Sequence, residues 1–280
     1  MDWLHIIILG IVEGITEFLP ISSTGHLMLA EKLLGYSVSD PGLVAFTAVV
    51  QIGAIAAAIV YFWQDIWRIA SAWCAGVVNP RARTFHYRMG WYVIIGSLPI
   101  AVVGLLLKDT IETVLRGLWF VAAGLMGWSI VLFLENYNKN RTPRVTDLAR
   151  LDYRTAIIVG FFQVLALVPG TSRSGATIAS GLFRDIDRTT ATRMSFFLGI
   201  PALMAAGGLE AITQSQQIGR LIGWPQMILG IIISFVVGYV VISWLLRFVS
   251  SNSFDKFVAY RLALSTLLII LLAVGALAPV

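Results

Sequence analysis

The stretch Glu13-Gly14-Ile15-Thr16-Glu17-Phe18-Leu19-Pro20-Ile21-Ser22-Ser23-Thr24-Gly25-His26 lies inside an apolar segment, 4–34. A second stretch, Val168-Pro169-Gly170-Thr171-Ser172-Arg173-Ser174-Gly175, lies inside another, 155–183. Each places a proline in an apolar run and follows it with small hydroxyl residues. Proline lacks the N–H that a helix needs and ends the helix there. A broken helix at membrane depth is tolerated only where it is packed in protein or lines a wet cavity. These two breaks therefore point to a site within a membrane bundle.

The rest of the chain agrees with a membrane setting. Of 280 residues, 58% are hydrophobic and only 12% charged, with a mean hydropathy of +0.84. A soluble domain carries about twice that charge, so a cytosolic enzyme, a disordered chain and a nucleic-acid binder are all excluded. Apolar runs long enough to span a bilayer, about 20 residues, occur near 42–64, 89–107, 118–135, 194–213, 226–248 and 257–279. Cys74 is the single cysteine, so no intramolecular disulfide can form.

The two broken segments resemble each other. At an offset of 150, Gly10 falls on Gly160, Ser22 on Ser172, Gly25 on Gly175 and Phe46 on Phe196, while Glu13 falls on Gln163. Pro20 and Pro169 miss that register by one. Paired broken segments in two halves point to a binding site at a repeat interface. The expected fold is an all-α integral membrane protein, a single polytopic domain over 1–280 with repeat halves of about 1–140 and 150–280. It has about six spanning helices and two re-entrant broken segments arranged as an inverted repeat.

Basic residues test that arrangement. With both broken segments re-entrant, the stretches 65–88, 136–154, 184–193 and 247–256 share one side and hold 14 of the 20 Lys and Arg; the other side holds 4. If 155–183 spans instead, the split becomes 10 against 8. The positive-inside rule favours the first arrangement, with the second segment entering from the cytoplasm. Inverted symmetry then places the N-terminus outside. Arg81, Arg83, Arg88, Arg141, Arg144, Arg150 and Arg154 are expected to anchor this topology. Lys108, Asp109 and Glu112 are expected at a solvated face, and Arg261 snorkelling to the headgroups.

Few charges remain at membrane depth. Glu13 and Glu17, one turn apart, share a helix face. They suit either a shared divalent cation, magnesium or calcium, or a base, the alternative being that one is neutralised by a proton or a basic partner. His26 stands beside Ser22, Ser23 and Thr24, company that suits proton transfer or nucleophilic attack. His5 and His86 lack such neighbours and are expected at the interface. In the second motif a Gly-rich turn opens a helix, presenting free N–H groups to an anion. Ser172, Ser174 and Thr177 add hydroxyls, and Arg173 adds a planar cation matched to phosphate. The alternative is a capped helix whose Arg173 pairs with Glu13 or Glu17. Gln51 is a weaker candidate contact.

Residues 13–26 and 169–177 match without a gap the two signature motifs of the undecaprenyl-diphosphatase family, also called the bacitracin-resistance protein family, and the resemblance covers essentially the whole chain. It implies an enzyme of the bacterial inner membrane that hydrolyses undecaprenyl diphosphate to undecaprenyl phosphate and phosphate, recycling the lipid carrier of envelope polymers. It also implies dependence on a divalent cation, a site facing the periplasm or exterior, and resistance to bacitracin, which touches the system only through the shared lipid. On this reading Arg173, Ser172, Ser174, Thr177, Ser22 and Thr24 bind the diphosphate, and Glu13 and Glu17 hold metal or activate the nucleophile. Ser23, His26 and a water activated by Glu17 are all candidates for that nucleophile. The rival class is a transporter or flippase of undecaprenyl phosphate using the same inverted-repeat site. Oligomeric state is left open, and a homo-oligomer is compatible with the sequence.

Overall fold

A computed structural model describes residues 1–137 and 143–279 of the chain. Among the described residues helices dominate and no strand forms beyond an isolated bridge between Val145 and Ile186. In order, the helices are α1 (Trp3–Thr16), α2 (Ser23–Leu33), α3 (Pro41–Tyr61), α4 (Trp63–Val78), α5 (Phe85–Leu106), α6 (Lys108–Glu112) and α7 (Leu118–Tyr137). Then follow α8 (Tyr153–Val164), α9 (Arg173–Phe183), α10 (Arg188–Thr213), the short α11 (Ser215–Gln217), α12 (Trp224–Ser251) and α13 (Asp255–Ala273). By length and composition α3, α5, α10, α12 and α13 can each cross a membrane, and the apolar pair Lys108–Arg116 and Leu118–Phe133, bent by 96°, is a sixth when taken as one broken span. The all-α multi-pass fold read from the sequence is present, and each of the six apolar runs lies on one of these helices.

Local chemistry sets the helix starts. Asp40, Asp152 and Asp187 cap α3, α8 and α10, each accepting hydrogen bonds from the first free N–H groups. The two breaks use serine instead. Ser22 and Ser172 both adopt a left-handed backbone, φ 77° and 76°. Their hydroxyl oxygens accept from Gly25 N–H and Gly175 N–H, which opens α2 and α9. A positive φ costs a non-glycine residue on the order of 1–3 kcal/mol, and the caps offset part of that cost. After each break the chain doubles back, so α1 packs on α2 and α8 on α9.

The halves correspond in their packing. α1 lies along α12, α8 lies along α5, and α3 crosses α10. The equivalent glycines Gly10 and Gly160 stand at close approaches within these pairs. A Cβ on Gly10 would lie 3.0 Å from the carbonyl oxygen of Gly230, and one on Gly160 would lie 2.5 Å from that of Gly96.

Three expectations need correction. The stretch 65–88 is not a plain connection: most of it belongs to α4, which carries exposed Trp63 and Trp67 and packs against α5. Lys108 is only partly exposed, because it pairs with buried Glu210 at 2.5 Å, whereas Asp109 is exposed as expected. Arg261 does not snorkel. It is fully buried, because its guanidinium is spent on carbonyl oxygens inside the bundle. Arg81, Arg83, Arg88, Arg144, Arg150 and Arg154 are exposed as topology anchors require; Arg141 lies outside the described residues.

Candidate functional site

The turns at the two breaks meet in the bundle. Ser22 Oγ accepts a hydrogen bond from Gly170 N–H at 3.1 Å, and Ser174 Oγ donates to Leu19 O at 3.0 Å, so each turn is tied to the other. Arg261, reaching in from α13, fastens both. Its guanidinium donates to Pro20 O at 2.9 Å on the first turn and to Gly170 O and Thr171 O at 3.0 and 3.2 Å on the second. It also reaches Ser129 Oγ, Gly124 O and Leu125 O on α7. A buried cation is tolerated when its donors are satisfied, and here carbonyl dipoles satisfy them.

This junction sets Ser23 and Arg173, the first residues of α2 and α9, on either side of Glu17. Ser23 Oγ donates to Glu17 Oε2 at 2.6 Å. Arg173 Nη2 donates to Glu17 Oε1 at 2.9 Å, an ion pair with both side chains nearly buried. Arg173 Nη1 donates to Ser195 O at 2.9 Å, while its Nε is buried with no hydrogen-bond partner. Gly199, one turn past Ser195 on α10, leaves the guanidinium its place, since a methyl there would overlap it. The three residues floor a cavity of about 560 Å³. Ser22, Thr24 and Ser172 also reach its polar end, apolar and small side chains of α3, α5 and α10 wall it, and Gln51, Lys108, Arg116 and Glu210 line it too.

The remaining expected residues fall elsewhere. Glu13 is buried one turn behind Glu17, and its Oε1 has no hydrogen-bond partner. Ser174 and Thr177 do not line the cavity: Ser174 is spent on Leu19 O, and Thr177 donates to Ser195 Oγ at 2.6 Å. Ser172 Oγ caps α9 and meets Ser174 Oγ at 3.1 Å. His26 is also off the cavity. Its Nδ1 lies 2.7 Å from Ser22 O and its Nε2 lies 2.7 Å from the Tyr260 hydroxyl, with the rings stacked. The carbonyl can only accept, so Nδ1 carries the proton and Nε2 accepts from Tyr260. His5 is half-buried, its Nδ1 2.7 Å from the Tyr36 hydroxyl.

Sequence reasoning missed Arg261, Tyr260, Ser195 and the Lys108–Glu210 pair. Their partners lie on other helices, distant along the chain, or are backbone carbonyls, so no local spacing marks them. For Arg261 one signal existed: it was, with Arg173, one of two basic residues that the topology count left on neither side.

Chemically, the arrangement is a hydroxyl hydrogen-bonded to a carboxylate, beside a guanidinium with a spare donor, at the end of an apolar cavity. That suits nucleophilic attack on a phosphate group carried by a lipid. As for a metal centre, no group of three or more His, Cys, Asp or Glu side chains comes together among the described residues; Glu13 and Glu17 are a pair.

Known proteins share this chain over almost its whole length. A family model described as bacitracin resistance protein BacA matches residues 6–267. A Cutibacterium acnes protein named undecaprenyl-diphosphatase is 52% identical over 96% of both chains. Undecaprenyl-diphosphatase 3 of Frankia casuarinae is 47% identical over 98% of both, and an undecaprenyl-diphosphatase of Mycolicibacterium gilvum is 44% identical over the full length of both.

Proposed function

The chain belongs to the bacitracin resistance protein BacA family, and from that premise we infer that it is an undecaprenyl-diphosphate phosphatase, releasing phosphate and returning undecaprenyl phosphate to carrier duty. The observation that carries the chemistry is the pair of bonds at Glu17: Ser23 on one carboxylate oxygen and Arg173 on the other.

In the reaction the terminal phosphate lies against Arg173, whose Nε has no hydrogen-bond partner within the protein. Ser23 Oγ attacks the terminal phosphorus in line and its proton passes to Glu17. The bond from that phosphorus to the bridging oxygen breaks, undecaprenyl phosphate leaves, and Glu17 gives the proton up to the departing phosphate oxygen, which restores the carboxylate. Water then attacks the phosphoserine with Glu17 as base, freeing phosphate and restoring Ser23. Phosphoryl transfer depends mostly on positioning and charge stabilisation, which Arg173 and the α9 N-terminus supply. His26, with both ring nitrogens engaged away from the cavity, orients the first turn rather than attacking.

A divalent cation fits the carboxylates, since buried Glu13 Oε1 has no donor to answer its charge. Glu13 and Glu17 would hold the ion, and bound there it would add positive charge beside the phosphoryl oxygens. The asymmetry in basic residues supports a plasma-membrane protein, an inner membrane where two are present, with the cavity opening outward near Lys108 and Arg116. Transport alone would not call for a serine held on a carboxylate.

Phosphate release from undecaprenyl diphosphate in detergent tests the reading, because no two compartments exist there. Release, with a trapped phosphoenzyme mapped to Ser23, is the expected result; lipid movement in vesicles without release would sink it.

A further inference from the structure

α5 and α10, which wall the cavity, each carry a proline inside the helix, Pro99 and Pro201. Proline removes one backbone hydrogen bond and leaves a point at which a helix bends. Before the prolines the two helices are in contact: Ser97 Oγ, which donates to Val93 O of its own helix at 2.7 Å, lies 3.0 Å from Leu198 O. Beyond the prolines they run along the cavity, with Gly104 and Leu105 on one side and Ala206 and Leu209 on the other. Just past α5, Lys108 at the start of α6 pairs with Glu210 of α10 at 2.5 Å, each nine residues past a proline.

The cavity thus runs between two proline-containing helices, with the Lys108–Glu210 pair across its mouth. Glu210 is nearly buried and Lys108 is about one-third exposed. Gly199, against which Arg173 lies, is eleven residues before Glu210, about 16 Å along α10 at 1.5 Å per residue. A headgroup at Lys108 has therefore not yet reached Arg173. A lipid diphosphate that moves inward must also leave its tail outside the bundle, which a slot permits and a closed tube does not. Resting on the phosphatase reading above, we propose that Lys108 is a specificity-determining residue. It receives the diphosphate headgroup in exchange for Glu210, and that exchange parts the α5–α6 turn from α10 so that the tail can follow the head. Glu210 holds the cation ready and satisfied until an anion with more charge displaces it.

The test is steady-state phosphate release from undecaprenyl diphosphate in detergent by K108Q and E210Q, over a series of salt concentrations. K108Q should raise KM by roughly 10-fold or more, with the loss carried by KM rather than kcat, and should flatten the salt dependence. E210Q, which releases Lys108 from its carboxylate, should leave KM equal to or below that of the parent. An unchanged KM in K108Q, or an equal rise in both variants as expected of a merely structural brace, overturns the proposal. If K108Q does not fold, E210Q decides: a KM raised tenfold overturns the exchange. If the parent protein releases no phosphate, the phosphatase reading fails. The Lys108 assignment is then judged by equilibrium binding of the same lipid to the parent and E210Q, where tighter binding by E210Q supports it and weaker binding overturns it.

Discussion

Ser23 and Arg173 occupy equivalent positions in the two repeats, each at the start of the second half-helix of a broken segment, and they grip opposite oxygens of the same carboxylate, Glu17, at 2.6 and 2.9 Å. One repeat contributes the hydroxyl and the other the cation. The register that makes the repeats alike also brings their unlike residues to face each other. Because Glu17 orients both, removing either partner disturbs the other.

Ser23→Ala should lower kcat by about three orders of magnitude or more, and Glu17→Gln should be similarly severe. The double variant should be little worse than either alone, since residues that act as one unit are not additive. Initial rates of phosphate release check this; effects that multiply would show that Ser23 and Glu17 act in separate steps.

Gly199→Ala puts a methyl where the Arg173 guanidinium lies. A displacement of about 1 Å at a reacting centre can cost roughly 100-fold in rate. The variant should keep its helical content and melting temperature and lose rate on that scale. Unchanged kcat would mean that Arg173 has room elsewhere.

Arg261→Lys keeps the charge but not the fork that reaches Pro20, Gly170 and Thr171. Several buried carbonyls then lose their donor, at a combined cost on the order of 3 kcal/mol. A lower melting temperature in detergent together with lost turnover is expected; a protein with parental stability and activity would refute the tie between the turns.

Asp152, at the start of α8, has its carboxyl held below the usual carboxylate range, first by the Thr155 side chain and then by the Thr155 N–H. A depressed folded value means the ionised group stabilises the fold above its unfolded pKa, about 3.9. That contribution is lost as pH falls through the folded value. Melting temperature should therefore drop more steeply below about pH 4 in the parent than in Asp152→Asn, which keeps a cap and has no proton to gain. Identical acid profiles would contradict this.

Much of this was legible in the chain because bilayers are demanding. Six spans stand out as apolar runs, and the breaks stand out because proline and serine have no other business there. The Ser22–Ser172 correspondence survives as a shared backbone conformation. What stayed hidden depends on three-dimensional neighbours. α4 was obscured because an amphipathic helix is too polar to read as a span. Arg261 looked like an anchor because a sequence shows its charge and not the carbonyls around it. The placing of two motif hydroxyls was hidden for a related reason: Ser174 and Thr177 belong to the right segment, but helix geometry turns Ser174 to Leu19 O of the first turn and Thr177 to Ser195 of α10. Lys108 and Glu210 were missed because they lie about a hundred residues apart and meet only when the start of α6 reaches α10.

Arg261 also has a meaning in time. The centre needs a turn from near the N-terminus, a turn from the middle of the chain, and a guanidinium from the last helix to hold them. A nascent chain that has already threaded α1, α2 and even α9 into the bilayer still lacks that third piece. The junction is thus complete only once α13 has joined the bundle, and a polypeptide truncated before α13 carries both signature motifs without the guanidinium that ties them.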